Sequence, residues 1–124
     1  MKFLILVLAM MTSSAFARQY IQCDAGSFDR AVINLNGDKS TLFLTNGVHY
    51  DDELRILKKL HFESNDGVVA TYATNEGDSK EIVRIPAKAI GIPGDSIKVT
   101  LELRSLDSNY GEEVPMSCFS AIYE

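Results

Sequence analysis

The fold of this chain is decided by residues 96–104, which read Ser-Ile-Lys-Val-Thr-Leu-Glu-Leu-Arg. Apolar and polar side chains alternate along this stretch without a break, and the apolar members are Ile97, Val99, Leu101 and Leu103. Because successive side chains of a β-strand point to opposite faces, the pattern predicts a strand with one buried face. A helix would scatter the same residues around its axis, and Val and Ile favour the extended state.

Shorter versions of this pattern, separated by turn residues, fill most of the chain. Further strands are predicted over residues 18–24, 28–35, 41–45, 68–74, 81–85 and 116–123. Asn36-Gly37 and Asn65-Asp66-Gly67 predict hairpin turns, and Pro93-Gly94 predicts the centre of a type II turn. We therefore expect an all-β fold, a single small antiparallel domain of about eight short strands, with barrel and sandwich both open.

Residues 51–62 allow two interpretations. Acidic residues at the start, Lys58 and Lys59 near the end, and leucines at helical spacing suit a short helix. We favour an extended second half, because the predicted turn at residues 65–67 follows at once. Lys58 and Lys59 would then protect an edge strand from pairing with other sheets.

The first seventeen residues have the features of a cleaved signal peptide. Lys2 precedes an apolar run over residues 3–11, and Ala15-Phe16-Ala17 is a small-x-small cleavage pattern. The run is shorter than the about 20 residues that a membrane helix needs. We predict a signal peptide over residues 1–17, a single β domain over residues 18–124, and a secreted or periplasmic location. Tyr20-Ile21-Gln22 lacks the small residues of a lipoprotein cleavage site, so no lipid anchor and no membrane insertion are expected.

Charge narrows the class of partner. The chain carries 12 basic and 17 acidic residues, a net charge of −5, and loss of Lys2 with the leader makes it one unit more negative. Nucleic acid binding requires basic patches, so nucleic acid is not expected as a partner. A protein or a component of the cell envelope is the expected partner class.

Two cysteines remain in the predicted mature chain, Cys23 near its start and Cys118 near its end. In an exported protein the default expectation is that they form a disulfide bond. The bond would close almost the whole mature chain into one loop and stabilise it by roughly 4–5 kcal/mol in the chain-entropy model. It would join the first strand to the last.

The sequence contains no arrangement that predicts catalysis. Neither histidine adjoins a serine, no Gly-x-Ser-x-Gly motif is present, and the glycines lie in predicted turns. His49 lies beside three carboxylates, but adjacent Asp51 and Asp52 would point to opposite faces of a strand, so no metal site is predicted. We expect no catalytic residue, no metal and no cofactor.

Loops at strand ends are the predicted binding elements, because rigid sheets commonly present function on loops. The candidate binding residues are His49, Tyr50, Asp51, Asp52, Asn109 and Tyr110. Tyr110 is the best exposed aromatic candidate, because it lies between Asn109 and Gly111 in a polar loop.

The order of an export signal, Tyr20, Cys23-Asp24 and a closing Cys118 resembles the small periplasmic inhibitors of c-type lysozyme. The resemblance covers the export signal and the order of these residues along the chain. The family's Ser-Gly-x-x-Tyr inhibitory motif and its core tryptophan are absent, so no inhibitory residue is assigned. We predict a small exported non-catalytic binding protein. Inhibition of a secreted hydrolase such as a lysozyme, or a structural or assembly role in the cell envelope, are the alternatives.

Overall fold

The computed structural model describes residues 18–24, 30–46, 54–106 and 111–123. These residues form nine β-strands and two short 3-10 helices. The strands are β1 (Arg18–Asp24), β2 (Arg30–Leu35), β3 (Thr41–Asn46), β4 (Leu54–Lys59), β5 (His61–Asn65), β6 (Val69–Ala73), β7 (Ser79–Pro86), β8 (Gly94–Ser105) and β9 (Gly111–Tyr123). The 3-10 helices are Gly37–Lys39 and Ala87–Ala89.

The nine strands form one antiparallel sheet in the order β4-β3-β2-β1-β9-β8-β7-β6-β5. The sheet curls into a nearly closed barrel, whose inner face carries a single core cluster. Ile21, Ile33 and Leu42 from the first half of the sheet join Val83 and Leu101 from the second half in this cluster. The all-β prediction is confirmed, and a barrel-like sheet is found where the sequence left barrel and sandwich open.

Chain continuity at Leu60 closes the barrel. β4 and β5 are the two edges of the sheet order, yet Leu60 alone separates them in the chain. β4 pairs with β3 on one side, whereas β5 pairs with β6 on the other. The Leu60 amide donates a hydrogen bond to the Ser40 carbonyl at 2.8 Å, and the Leu60 side chain is buried. The covalent link therefore joins two edges that no backbone ladder joins.

Residues 51–53 of the ambiguous segment lie outside the described residues, and the rest of it lies in β4, Leu60 and the start of β5. The strand interpretation of its second half is confirmed, and a helix there is wrong. The break at Leu60 also explains why nine strands are found instead of about eight. Lys58 and Lys59 lie on an edge strand as predicted, but Lys58 does not act as an exposed guard. Its ammonium group lies 2.8 Å from the buried carboxylate of Glu81.

The stretch that decided the fold prediction lies in β8. Val99 and Leu101 are buried on the inner face, and their neighbours Lys98 and Thr100 face outwards. The strand is longer than predicted, because a register shift between Gly94 and Ile97 extends its pairing with β9. A β-bulge of this kind lets a strand continue after one residue has left the ladder.

The predicted disulfide is present. Cys23 of β1 and Cys118 of β9 lie directly opposite one another in the ladder, with their Cα atoms 4.1 Å apart. Both side chains are buried on the inner face of the barrel. The bond therefore joins the first strand to the last, as expected from the sequence.

Two turns show where local sequence patterns succeed and fail. Asp66 and Gly67 form the predicted β5–β6 turn, in which one Asp66 carboxylate oxygen accepts hydrogen bonds from the amides of Val68 and Val69 at 2.8 Å. The type II turn predicted at Pro93-Gly94 is wrong. Gly91 takes the left-handed conformation with φ 77°, whereas Gly94 already begins β8. A type II turn requires a positive φ at its third residue, so the reversal lies three residues earlier.

Candidate binding site

The candidate binding residues named from the sequence lie outside the described residues. This applies to His49, Tyr50, Asp51, Asp52, Asn109 and Tyr110. Their assignment to binding loops stays a prediction. The described part of the molecule offers a different candidate, at one end of the barrel.

An open cavity of about 380 Å³ lies at this end. Small-molecule sites commonly have volumes of about 300–1,000 Å³, so the cavity is large enough for a small ligand. Its walls are mainly apolar and come from both halves of the sheet: Leu35, Phe62, Tyr72, Ile90 and Ile122. We call this space the mouth cavity.

Gln19 fixes one wall of the mouth cavity. Its side-chain amide donates hydrogen bonds to the Ala89 carbonyl and to the Ser120 hydroxyl, each at 2.8 Å. Its carbonyl oxygen accepts a hydrogen bond from the Gly91 amide at 2.8 Å. Gln19 is 4% exposed, and a buried amide needs such partners to offset its lost hydration. The connection between β7 and β8 is therefore attached to the barrel by one side chain.

Ser40 fixes another part of the wall in a similar way. Its hydroxyl accepts a hydrogen bond from the Asn36 amide and donates one to the Gly37 carbonyl, both at 2.8 Å. Gly37 has a φ of 58°, a conformation that favours glycine, and it begins the short 3-10 helix between β2 and β3. The polar atoms of this wall are thus used within the protein.

An aromatic pair forms the side of the mouth cavity nearest β5 and β6. Phe62 and Tyr72 are cross-strand neighbours, with ring centroids 5.6 Å apart in an edge-to-face arrangement. Phe62 is 61% exposed, whereas Tyr72 is half-buried against the core. Burial raises the pKa of the Tyr72 hydroxyl, so this group stays protonated at neutral pH.

Arg18 is the charged residue of the mouth cavity. It is exposed at the start of β1, and no other described residue that lines the cavity is ionised at neutral pH. Within the described part of the chain, neither the Arg18 guanidinium nor the Tyr72 hydroxyl has a hydrogen-bond or ion-pair partner. These two groups remain available to a ligand, whereas Gln19 and Ser40 are satisfied internally.

A second cavity of about 290 Å³ lies on the other side of the same connection. Lys88, Ala89 and Pro86 line it from the β7 end, and Ile97 and Lys98 line it beside the β8 bulge. Both lysines are exposed. This cavity is smaller than the mouth cavity and has a more charged rim.

The outer face of the sheet carries a row of side chains that is apolar except for Gln22. The cross-strand register places Phe119, Gln22, Val32, Phe43 and Leu57 on one line from β9 to β4. Val32 and Phe43 are half-buried, and Leu57 is 67% exposed. Sequence reasoning missed this row, because alternation identifies outward positions within a strand but does not show which strands place them side by side.

The described ranges contain no group of three or more His, Cys, Asp or Glu residues that could hold a metal ion. They also contain no helix of sufficient length and apolar character to span a membrane. The absence of catalytic residues and cofactors stays a prediction.

Sequence reasoning did not find the mouth cavity, although one signal for it was present. Gln19 occupies the same face of β1 as Ile21 and Cys23, and a polar residue at an inward position indicates a buried hydrogen-bonding role. Phe62 and Tyr72 carried no comparable signal, because their contact depends on the register between β5 and β6.

Comparison of the chain with models of protein families, with curated proteins and with solved structures finds no significant match. The resemblance to lysozyme inhibitors therefore stays a prediction.

Proposed function

We propose that the protein is a non-catalytic binding protein that takes a small, largely apolar ligand into the mouth cavity. The observation that supports this proposal is the combination of apolar walls with two unpartnered polar groups in one open space of about 380 Å³. Ligand sites typically pair a mainly apolar lining with a few placed polar groups.

The fixed frame of the cavity supports a binding role. Gln19 attaches the β7–β8 connection to the barrel, and Ser40 holds the β2–β3 connection. A site whose walls are held by internal hydrogen bonds loses little conformational entropy when a ligand enters. The cavity is therefore pre-formed for binding.

The proposed setting is an exported protein whose ligand comes from outside the cell or from the cell envelope. The buried Cys23–Cys118 bond is consistent with an oxidising compartment. A predicted signal peptide over residues 1–17 adds to this proposal. An apolar envelope constituent is the partner class that agrees with both features.

The proposal is tested by titrating the oxidised protein with 1-octanol and sodium octanoate, while amide shifts are followed by NMR. We expect saturable shifts centred on the mouth cavity. The variant Ile90→Trp places a large ring in the cavity and should weaken binding at least tenfold. Ile92→Trp is the matched control, because Ile92 is 54% exposed and does not line the cavity.

Absence of saturable binding of both compounds would contradict the proposal. Equal effects of Ile90→Trp and Ile92→Trp would also contradict it, since binding would then lie elsewhere on the molecule.

A further inference from the structure

We infer that the natural ligand of the mouth cavity is an aliphatic monocarboxylate, whose carboxylate binds Arg18 and Tyr72 and whose chain packs against the apolar walls. This inference rests on the proposed function and adds the chemical class of the ligand. It follows from which polar groups in the cavity are already used and which are not.

The internal hydrogen bonds leave two unpartnered polar side chains among the described lining residues. Both ends of the Gln19 amide are bound to protein atoms, and the Ser40 hydroxyl both donates and accepts within the β2–β3 connection. The Gly91 amide is also used, because it donates to Gln19. Arg18, at the exposed rim of the cavity, and Tyr72 are therefore the described lining residues whose polar side-chain groups are left for a ligand.

The charge of the cavity favours an anion. Arg18 is the one charged group among the described lining residues, and none of those residues is an aspartate or a glutamate. A guanidinium presents parallel N–H donors that match the two oxygens of a carboxylate. Because Arg18 has no ion-pair partner in the described structure, a ligand anion does not have to displace an internal one.

Tyr72 supplies a second donor from inside the cavity. Its ring contacts Phe62 and packs against the core, and these contacts restrict the movement of the side chain. A tyrosine hydroxyl is protonated at neutral pH, and it can therefore donate a hydrogen bond to a carboxylate.

The number of donors distinguishes a carboxylate from a phosphate. Phosphate sites use several backbone amides or clustered cations to offset a larger charge. Among the described lining residues, one guanidinium and one phenol hydroxyl have no partner, and the other side chains are apolar or hydrogen-bonded within the protein. Leu35, Ile90 and Ile122 form the surface that an alkyl chain would contact. One anionic head with an apolar tail fits this arrangement.

The test compares three ligands that share an eight-carbon chain and differ in the head group: octanoate, 1-octanol and octylammonium. Titrations of the oxidised protein at pH 7.5, well below micelle-forming concentrations, would be followed by calorimetry and by NMR. We expect octanoate to bind about tenfold more tightly than 1-octanol, as hydrogen bonds to a charged group contribute more than neutral ones. Octylammonium should bind most weakly, because its charge repels Arg18.

Two variants, with one control, test whether Arg18 and Tyr72 bind the carboxylate head group. Arg18→Gln should weaken octanoate binding and leave the affinity for 1-octanol nearly unchanged; part of the preference for octanoate can remain, because the predicted mature chain keeps an α-ammonium group at residue 18. Arg30→Gln is the matched control, because Arg30 is also an exposed basic residue at a strand start but does not line the cavity. Tyr72→Phe keeps the contact with Phe62 and should weaken octanoate binding about fivefold through loss of one hydrogen bond to a charge.

The outcomes separate this inference from the proposed function. Equal binding of octanoate and 1-octanol would overturn the carboxylate inference while the binding function stands. Unchanged octanoate binding in Arg18→Gln would overturn the assignment to Arg18. Failure of all three compounds to bind would overturn both proposals.

Discussion

Two buried carboxylates on neighbouring strands differ in what surrounds them. Glu81 of β7 and Glu102 of β8 lie one register step apart, since Glu81 pairs with Leu103 and Ile82 pairs with Glu102. They point to opposite faces of the sheet, Glu81 towards the interior and Glu102 outwards. Their side chains are 1% and 9% exposed, respectively. Similar burial therefore occurs on both faces of the same pair of strands.

Glu81 belongs to a closed polar cluster inside the barrel. Lys58 lies 2.8 Å from its carboxylate, and the hydroxyls of Thr74 and Ser79 donate to it at 2.8 and 2.7 Å. Lys58 also donates to the Ser79 carbonyl at 3.1 Å. β4 and β7 share no backbone ladder. This cluster therefore links two strands across the gap between β4 and β5, the two edges of the sheet.

Glu102 is buried by two arginines that remain partly in water. Arg84 lies 2.8 Å from one carboxylate oxygen, and Arg104 contacts the other at 2.5 Å. The arginine side chains are 34% and 53% exposed. The hydrogen bond from Arg84 is the largest cause that holds the pKa of Glu102 below its usual range, with Arg104 adding to it. The comparison teaches that the inner carboxylate is compensated by buried or nearly buried partners, whereas the outer carboxylate is compensated by arginines whose side chains stay partly exposed.

The largest expected effect is that of Lys58→Met. It would leave the Glu81 carboxylate buried without its cation, and removal of one partner of a buried pair costs about 3–5 kcal/mol. Urea denaturation followed by circular dichroism would measure the loss. Lys59→Met is the matched control: Lys59 is the exposed neighbour on the same strand, and its loss should change the free energy of unfolding by less than about 0.5 kcal/mol. Equal losses of stability in the two variants would contradict the buried ion pair between Lys58 and Glu81.

The second effect is recovery in the double variant Lys58→Met with Glu81→Gln. Removal of both charges abolishes the unpaired buried carboxylate, and Gln retains an oxygen that accepts a hydrogen bond from Thr74. We expect the double variant to be about 1–2 kcal/mol more stable than Lys58→Met alone, since neutral replacements of buried pairs are often tolerated. The same denaturation experiment measures it, and losses that simply add would argue against direct coupling.

Glu102→Gln should have a smaller effect that depends on pH. A carboxylate whose pKa is lowered in the folded state stabilises the fold above its unfolded pKa, and the contribution disappears as pH falls through the folded value. We expect the variant to be about 1–2 kcal/mol less stable than the wild type at pH 7. The difference should shrink as the pH is lowered below about 4.3. A difference that is constant from pH 7 to pH 3 would contradict the assigned cause.

The smallest effect is expected for Arg104→Ala. Its guanidinium is largely in water, so the change should cost about 0.5 kcal/mol, within the range of exposed ion pairs. Arg84→Ala should cost more, because Arg84 is less exposed and makes the larger contribution to the pKa of Glu102. Thermal unfolding of both variants at pH 7 would rank them, and the reverse order would be inconsistent with the described geometry.

The local sequence pattern predicted the strands. It did not predict which side chains meet, because those contacts depend on the register between strands. The alternation in residues 96–104 identified β8 and its buried face, and the positions of Cys23 and Cys118 identified the disulfide. Lys58 interrupted the inward pattern of its strand, but nothing nearby in the sequence named Glu81 as its partner. The two residues meet because the sheet curls at Leu60, and such closure is a property of the whole sheet.

The mouth cavity illustrates the same limit. Its residues come from seven strands or connections, and each taken alone has an ordinary role: Leu35 ends a strand, and Ile90 follows a 3-10 helix. Gln19 was the one member whose position was informative in advance.

The position of the disulfide within the sheet bears on how the chain reaches its native state. Among the described ladders, every pair joins strands that follow one another in the chain, with the exception of β1 and β9. Strands β1–β4 and strands β5–β9 can each form by pairing of strands that are neighbours in the chain. Pairing of β1 with β9 must bring together two cysteines that are 95 residues apart. The disulfide bond keeps β1 and β9 close together in the unfolded chain, so the entropy cost of closing this long loop is already met. The oxidised chain is therefore expected to refold faster than the reduced one.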